Sequence, residues 1–187
     1  MTPADNSSNN AFKAVNNYVA VDVETTGNDP ASDSIVMLSA VRVVNGRSVG
    51  KIKSLVDPGT NRNSEAVAKL GLQQEMLAAA PKLPGILSAF FSFVGNDTLV
   101  GHDIETALAF VNDAGSRIFC RMLRNETIDT RAMSEILFPG EDAGFSALAE
   151  RFLGGSAGKR ADSKADMIAK CYEYMKRVNE KGIAAMP

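Results

Sequence analysis

Residues 18–27 have the sequence YVAVDVETTG, a short apolar strand that carries two carboxylates and then turns at once. Residues two apart on a strand share a face, so Asp22 and Glu24 point to the same side of the sheet. Two carboxylates on one face repel each other, and a plain hydrophobic core would avoid them. The pattern therefore predicts a divalent cation, or another positive partner, between Asp22 and Glu24.

Length and composition indicate one domain with a sizeable core. The chain has 187 residues, of which 45% are hydrophobic, and contains no apolar run long enough to span a bilayer. The 20 basic and 22 acidic residues give a net charge of -2, which predicts no general attraction to nucleic acid. Cys120 and Cys171 lie in apolar helical surroundings and no signal segment opens the chain, so we expect a cytoplasmic protein in which both cysteines are small buried hydrophobes.

Periodicity and turn signals predict the element order βββαβαβα. Residues 1–16 are rich in Asn, Ser and Ala and predict a flexible tail, which leaves residues 17–187 as a single domain. Strands are expected at residues 18–23, 35–44, 49–56, 98–100 and 127–128, with a type I′ hairpin turn at Asn45-Gly46. Helices are expected at residues 64–70, 73–79, 83–94, 131–137 and 146–153, after Asp103, and finally around residues 165–175, following a glycine-rich loop. The predicted fold is α/β, with a mixed five-stranded sheet and helices on both faces.

Seven short motifs follow one another between Tyr18 and Met175. They are VDVETTG at residues 21–27, the hairpin turn NG at 45–46, LVDPG at 55–59, QEMLAAAP at 74–81, LVGH at 99–102, IDT at 128–130 and SALAE at 146–150. In this order they resemble the DEDD superfamily of 3′–5′ exonucleases, which includes the proofreading subunit of bacterial DNA polymerase III and ribonuclease T. The resemblance implies a ribonuclease H-like three-layer fold with a two-metal site at the carboxyl end of the central strand.

The same resemblance implies a degenerate active site. Members of the superfamily hold two magnesium or manganese ions with four carboxylates and activate water with a His or Tyr. Asp22 and Glu24 match the first two acids, but Ala107 stands at the position of the third. Lys164 stands at the position of the fourth acid and Lys159 at that of the general base. These replacements imply that most or all catalysis is lost and that Asp22 and Glu24 bind metal weakly or not at all.

Lys164 offers a positive partner for the two acids. An ammonium held ~5 Å from a divalent ion at an effective dielectric of about 20 costs roughly 6–7 kcal/mol, so we expect no metal cofactor. We expect Lys164 to lie where a metal would stand and to pair with Asp22 and Glu24. The alternative is that Lys164 is a solvated residue at the start of a helix, since a flexible lysine stem permits either geometry.

The turn after the first strand and the LVGH motif supply the residues expected to contact nucleic acid, namely Thr25, Thr26, Gly27, His102 and Asp103. His102, the single histidine, is either recruited as a base or a satisfied structural group at a strand-to-helix corner.

Four further acids could rebuild a metal cage, but none replaces the missing ligands cleanly. Asp103 is better explained as the N-cap of the helix that follows it, and Glu105 lies off the apolar face of that helix. Asp162 and Asp166 each lie two residues from Lys164 and so project away from it on a helix.

Two groups of basic residues could contact phosphates. Arg117, Arg121 and Arg124 are spaced to share one helix face, whereas the second group, expected near the cleft, comprises Lys159, Arg160, Lys164 and Lys170.

Three functions remain open. The favoured one is a domain that binds single-stranded DNA or RNA 3′ ends, or a protein partner, without cutting. The second is an active exonuclease dependent on Mg or Mn, with a cage rebuilt from Asp103, Glu105, Asp162 or Asp166. The third is a protein-interaction scaffold with no nucleotide role, and no membrane partner is expected under any of the three.

Overall fold

Five strands form one mixed sheet with the first strand at its centre. The computed structural model describes residues 12–59, 65–157 and 163–181, and its strands are β1 (Asn17–Thr25), β2 (Ile35–Val44), β3 (Arg47–Leu55), β4 (Leu99–Gly101) and β5 (Thr127–Asp129). Their order across the sheet is β3-β2-β1-β4-β5. The pairs β1–β2 and β2–β3 are antiparallel, whereas β1–β4 and β4–β5 are parallel. The predicted mixed five-stranded sheet is confirmed.

Helices cover both faces of this sheet. Those in the described residues are α1 (Glu65–Lys69), α2 (Gln74–Ala78), α3 (Leu83–Val94), α4 (Ile104–Phe119), α5 (Thr130–Leu137), α6 (Phe145–Ala157) and α7 (Lys164–Lys181). Alternate residues of β1 serve the two layers, because Val19 and Val21 pack with α3 and α4 while Tyr18 and Ala20 pack with α5, α6 and α7. The three-layer arrangement predicted from the sequence is confirmed.

The end of α4 differs from the prediction. α4 ends at Phe119 because Cys120 adopts the left-handed conformation with φ 50°. Arg121 and Arg124 therefore lie beyond the helix, and the prediction that they share a helix face with Arg117 is wrong. Cys120 is exposed, which also contradicts its predicted burial, whereas Cys171 is buried.

Glycine-rich residues interrupt α6 where the sequence predicted a loop. Gly154 has φ 62°, a value that favours glycine, and it breaks the regular helix within Phe145–Ala157. Ser64, where the helix predicted at residues 64–70 begins, lies outside the described residues. No helix in the described ranges is both long and apolar enough to cross a membrane.

Residues 12–16, the described part of the predicted N-terminal tail, pack against α7. The Asn179 side chain donates a hydrogen bond to the carbonyl of Phe12 at 3.1 Å, and the backbone N–H of Val15 donates to the Tyr172 hydroxyl at 2.9 Å. Lys176 Nζ donates to Asn16 Oδ1 at 2.8 Å. These bonds fix residues 12–16 to the domain, so the loose segment predicted up to Asn16 does not include them.

Candidate functional site

The carboxyl ends of the parallel strands β1, β4 and β5 meet at one edge of the sheet, the usual position of ligand sites in open α/β sheets. Asp22 and Glu24 lie near the end of β1, and His102 and Asp103 directly follow β4. α7 begins beside them with Lys164. The structure therefore brings together four of the predicted acidic and basic residues and the single histidine.

Lys164 lies between the two carboxylates of β1. Its Nζ is 3.0 Å from Asp22 Oδ1 and 3.2 Å from Glu24 Oε1. The same nitrogen lies 5.4 Å from the centre of the Phe145 ring, which sequence reasoning did not place here. The expected pairing of Lys164 with Asp22 and Glu24 is confirmed, and the alternative of a purely solvated lysine is not.

One ammonium shared by two carboxylates leaves the buried acid incompletely compensated. Asp22 is 6% exposed, and its Oδ2 has no hydrogen-bond partner among the residues that the structure describes. Burial raises the pKa of Asp22 to about 6; Glu24 adds to the rise and Lys164 opposes it. Burial by itself lowers the pKa of Lys164, but Asp22 and Glu24 outweigh that effect and the pKa is raised. Lys164 therefore stays charged, while Asp22 is poised to take up a proton in mildly acidic solution.

The residues at this edge do not fit a two-metal site. Lys164, which the resemblance predicts at the position of the fourth acid, holds its ammonium between Asp22 and Glu24. Ala107, predicted at the position of the third acid, has no ligand atom and lies half-buried on α4. Lys159, predicted at the position of the general base, falls outside the described residues. Within residues 12–59, 65–157 and 163–181, no group of three or more His, Cys, Asp or Glu is arranged to hold a metal ion.

Two of the acids considered for a rebuilt cage are paired with cations. Asp103 accepts two hydrogen bonds from Arg131, one from Nε to Oδ1 and one from Nη2 to Oδ2 at 2.8 Å. Asp166 pairs through Oδ1 with Lys51 at 2.8 Å and through Oδ2 with Lys170 at 2.7 Å. Among the described residues, neither carboxylate joins Asp22 and Glu24 in a group of three arranged to hold a metal ion.

The other two acids add no ligand to the described site. Glu105 is exposed on α4, off the apolar face as predicted, and accepts a 3.4 Å hydrogen bond from Thr127. Asp162 lies outside the described residues.

Asp129, and not Asp103, caps α4. Asp103 occupies the N-cap position, but its backbone is left-handed with φ 55°, and its side chain makes no capping hydrogen bond. The Asp129 carboxylate accepts hydrogen bonds from the backbone N–H groups of Asp103 at 3.2 Å, Ile104 at 3.1 Å and Arg131 at 2.8 Å. The predicted capping role of Asp103 is wrong, because its side chain turns to Arg131. The IDT motif held the signal for Asp129, and sequence reasoning missed its role.

His102 is a buried structural group. Its Nδ1 lies 3.0 Å from Thr130 Oγ1, and that hydroxyl donates its proton to the carbonyl of Gly101 at 3.0 Å. Nδ1 must therefore carry the proton of the neutral ring, which leaves Nε2 as the bare nitrogen. Nε2 is buried without a hydrogen-bond partner among the described residues, and burial lowers the pKa of His102. These contacts favour the structural alternative over recruitment of His102 as a base.

Polar side chains at the end of β1 form hydrogen bonds within the turn that follows. Thr25 Oγ1 donates to the carbonyl of Gly27 at 2.6 Å, and Thr26 Oγ1 donates to Asp33 Oδ1 at 3.2 Å. A Cβ at Gly27 would collide with the Asp33 carboxylate, which would have to move away from the turn. The two hydroxyl groups predicted to contact nucleic acid therefore hold the turn in place.

Comparison with protein families agrees with the fold. The family model described as an exonuclease, of the ribonuclease T type, matches residues 19–174. The chain belongs to this exonuclease family. The matched residues run from β1 to α7 and so include the sheet edge that carries Asp22 and Glu24.

Curated relatives of this exonuclease-family domain include replicative DNA polymerase proteins. It is 31% identical over 123 residues to the DNA polymerase III subunit epsilon of Aquifex aeolicus, covering 66% of this chain and 61% of the relative. It is 28% identical over 122 residues to a PolC-type DNA polymerase III of Listeria innocua, covering 65% of this chain and 8% of the relative. The chain therefore spans less than two thirds of either relative.

Solved structures with the same fold are exonucleases. Exonuclease X in complex with 5′ overhanging duplex DNA matches with a TM-score of 0.60 and 19% identity, covering 88% of this chain and 93% of that one. Escherichia coli exonuclease I in complex with a 5cy-dA13 oligonucleotide matches with a TM-score of 0.67 and 15% identity, covering 91% and 42%. At these identities the likeness shows the fold, and the predicted ribonuclease H-like exonuclease fold is confirmed.

Proposed function

We propose that this exonuclease-family domain binds the 3′ ends of single-stranded nucleic acid and has lost most or all of the catalytic activity of its family. The observation that carries the proposal is the position of Lys164 Nζ, 3.0 Å from Asp22 and 3.2 Å from Glu24. Metal-dependent phosphodiester cleavage needs divalent cations at such a pair of acids. An ammonium there repels a divalent ion, at roughly 6–7 kcal/mol for ~5 Å and an effective dielectric of about 20.

Nucleic acid as the partner is supported by the family and by the solved relatives. The two solved exonucleases described above share this fold and are complexes with duplex DNA and with a 5cy-dA13 oligonucleotide. The remaining features of the edge, a rigid turn after β1 and an ordered corner at His102, form a fixed surface on which a strand can lie. Binding in this proposal needs neither magnesium nor manganese.

A cleavage assay tests the loss of catalysis. The protein is incubated with a 5′-labelled single-stranded oligonucleotide and Mn²⁺, and the products are separated by size. Asp22→Ala removes one of the two retained acids, and Asp113→Ala, an exposed acid of α4 paired with Arg117, is the matched control. We expect no shortening above background in any of the three proteins. Shortening that Asp22→Ala abolishes and Asp113→Ala leaves intact would establish an active exonuclease instead.

Fluorescence anisotropy of the same oligonucleotide in EDTA tests binding. We expect an affinity that falls with salt, with a log–log slope of about -0.7 for each phosphate contact to a single strand. Absence of binding at low salt would favour the protein-interaction scaffold over the proposed function.

A further inference from the structure

A cleft of about 270 Å³ lies between α7 and the β2–β3 hairpin, farther along α7 than Lys164. Buried apolar side chains of β1 and β2 form its floor, and its rim carries Lys170, Tyr174 and Arg177 from α7 with Ser48 from β3. Pockets for small molecules usually measure about 300–1,000 Å³, so this cleft has room for one compact group of a ligand.

The two carboxylates on the wall of the cleft are neutralised by neighbouring cations. Asp166 pairs with Lys51 at 2.8 Å and with Lys170 at 2.7 Å, one lysine on each oxygen. Glu173 Oε1 pairs with Lys176 Nζ at 3.2 Å. Three ammonium groups therefore face two carboxylates, and an anion entering the cleft meets no uncompensated negative charge.

Arg177 adds a fourth cation that no acid engages. Its guanidinium lies 5.2 Å from the centre of the Tyr174 ring, which also stacks on Phe152 at 5.8 Å. In the described part of the chain, no carboxylate lies within ion-pair distance of Arg177. The hydroxyl groups of Tyr174 and Ser48 likewise form no hydrogen bond with a described residue. The lining of the cleft thus includes one guanidinium and two hydroxyl groups that can donate hydrogen bonds.

We propose that this cleft binds the phosphate group of a nucleotide, either free or within a strand. A guanidinium matches two phosphate oxygens with parallel N–H donors, and hydroxyl groups satisfy further oxygens. Arg177 binds the phosphate directly in this arrangement, and Lys170 supplies a second charge while keeping its bond to Asp166. The inference rests on the proposed function, because a domain that binds nucleic acid meets phosphate chiefly on nucleotides.

Titration calorimetry with adenosine 5′-monophosphate, adenosine and inorganic phosphate tests the cleft. Arg177→Gln removes the guanidinium charge, Arg177→Lys keeps a positive charge, and Lys69→Gln is the control at an exposed cation of α1 outside the cleft. We expect the monophosphate to bind and adenosine not to bind. Arg177→Gln should weaken the monophosphate about tenfold, as expected for one charge-assisted hydrogen-bond pair, and Arg177→Lys should weaken it less. A melting temperature for each variant confirms that it is folded.

A second measurement uses a short fluorescein-labelled oligothymidylate and separates the two sources of phosphate. If the cleft takes a strand, Arg177→Gln should reduce the slope of log affinity against log salt by about 0.7, while Lys69→Gln leaves it unchanged. Arg177→Gln could abolish binding of the monophosphate while the wild-type protein binds no strand at all. That result would support the cleft as a site for free nucleotides and would contradict the proposed function. The wild-type protein could instead bind the strand with a salt dependence that Arg177→Gln does not change, and fail to bind the monophosphate. That result would contradict the proposed phosphate site in the cleft and leave the proposed function intact. Equal binding of adenosine and its monophosphate would also overturn it.

Discussion

Two carboxylates at the same edge of the sheet, Asp22 on β1 and Asp103 after β4, are compensated in opposite ways. Asp22 is 6% exposed and shares a single ammonium with Glu24, and its pKa is raised to about 6 by burial, Glu24 adding to the rise and Lys164 opposing it. The Asp103 side chain is 45% exposed and has a guanidinium to itself, and the hydrogen bonds from Arg131 lower its pKa. Burial, together with the number and geometry of the partners, decides which of the two acids has a raised pKa.

The difference shows which side of the edge is sensitive to a cation or to a change of charge. Arg131 closes the Asp103 side with two parallel hydrogen bonds, so a cation has little to gain there. At the Asp22 side one oxygen is buried without a partner among the described residues, and a single lysine is the obstacle to a cation. Substitutions at Lys164 should therefore produce larger effects than substitutions at Asp103.

Lys164→Asp should give the largest effect. It replaces the ammonium by a third carboxylate, so Mn²⁺ should bind and raise the free energy of unfolding by about 2.7 kcal/mol at a free concentration one hundred times its dissociation constant. Without metal, the variant should be less stable than wild type because three acids then repel one another. The measurement is the melting temperature with Mn²⁺ and with EDTA.

Lys69→Asp, at an exposed lysine of α1 paired with Glu65, controls for the change in net charge. We expect neither the control nor wild type to respond to Mn²⁺. A wild-type response equal to that of Lys164→Asp would remove the contrast between the two sides of the edge.

Lys164→Met should raise the pKa of Asp22 above about 6, because the ammonium is the group that opposes the effect of burial. One pKa unit corresponds to about 1.4 kcal/mol. A folded-state pKa above the unfolded value, which is about 3.9, means that Asp22 stabilises the fold most below pH 4 and loses that contribution as the pH rises toward 6. The variant should extend this loss to higher pH.

The carboxyl ¹³C chemical shift of Asp22 over a pH titration measures the pKa, and urea unfolding across the same range measures stability. Asp22→Asn removes the titrating group and should abolish this component of the pH dependence. A titration midpoint in Lys164→Met at or below that of wild type would show that Lys164 does not act on Asp22 as the geometry indicates.

Asp103→Asn should give the smallest effect, because exposed ion pairs contribute about 1 kcal/mol or less. Urea denaturation measures the change in the free energy of unfolding. Asp129→Ala provides the contrast at the same corner, since loss of a helix cap costs about 0.5–2 kcal/mol. If Asp103→Asn proved more destabilising than Asp129→Ala, the Asp103–Arg131 pair, and not Asp129, would hold the corner together.

The features predicted from the sequence were those with a local signature. The alternation in β1, the Asn45-Gly46 turn and the order of the motifs indicated the sheet, and the resemblance to the exonuclease superfamily implied that Lys164 lies beside Asp22 and Glu24. These patterns act over a few residues or follow a family order, so a single chain reveals them.

The features missed were contacts between loops that leave no periodic trace. Asp129 accepts a hydrogen bond from Ile104 of α4, 25 positions earlier in the sequence, and Arg131 donates one to Asp103, 28 positions earlier. The sequence predicts the wrong end for α4, because Cys120 adopts a left-handed conformation that cysteine rarely takes. Tertiary packing decided each of these points.

The bond between Lys164 and Glu24 joins residues 140 positions apart, and this separation bears on how the chain is made. Synthesis proceeds from the amino terminus, so Asp22 and Glu24 leave the ribosome long before their ammonium partner is made. Until α7 docks, the nascent domain carries two neighbouring carboxylates without this partner. Docking of α7 then supplies the compensating charge from the polypeptide itself.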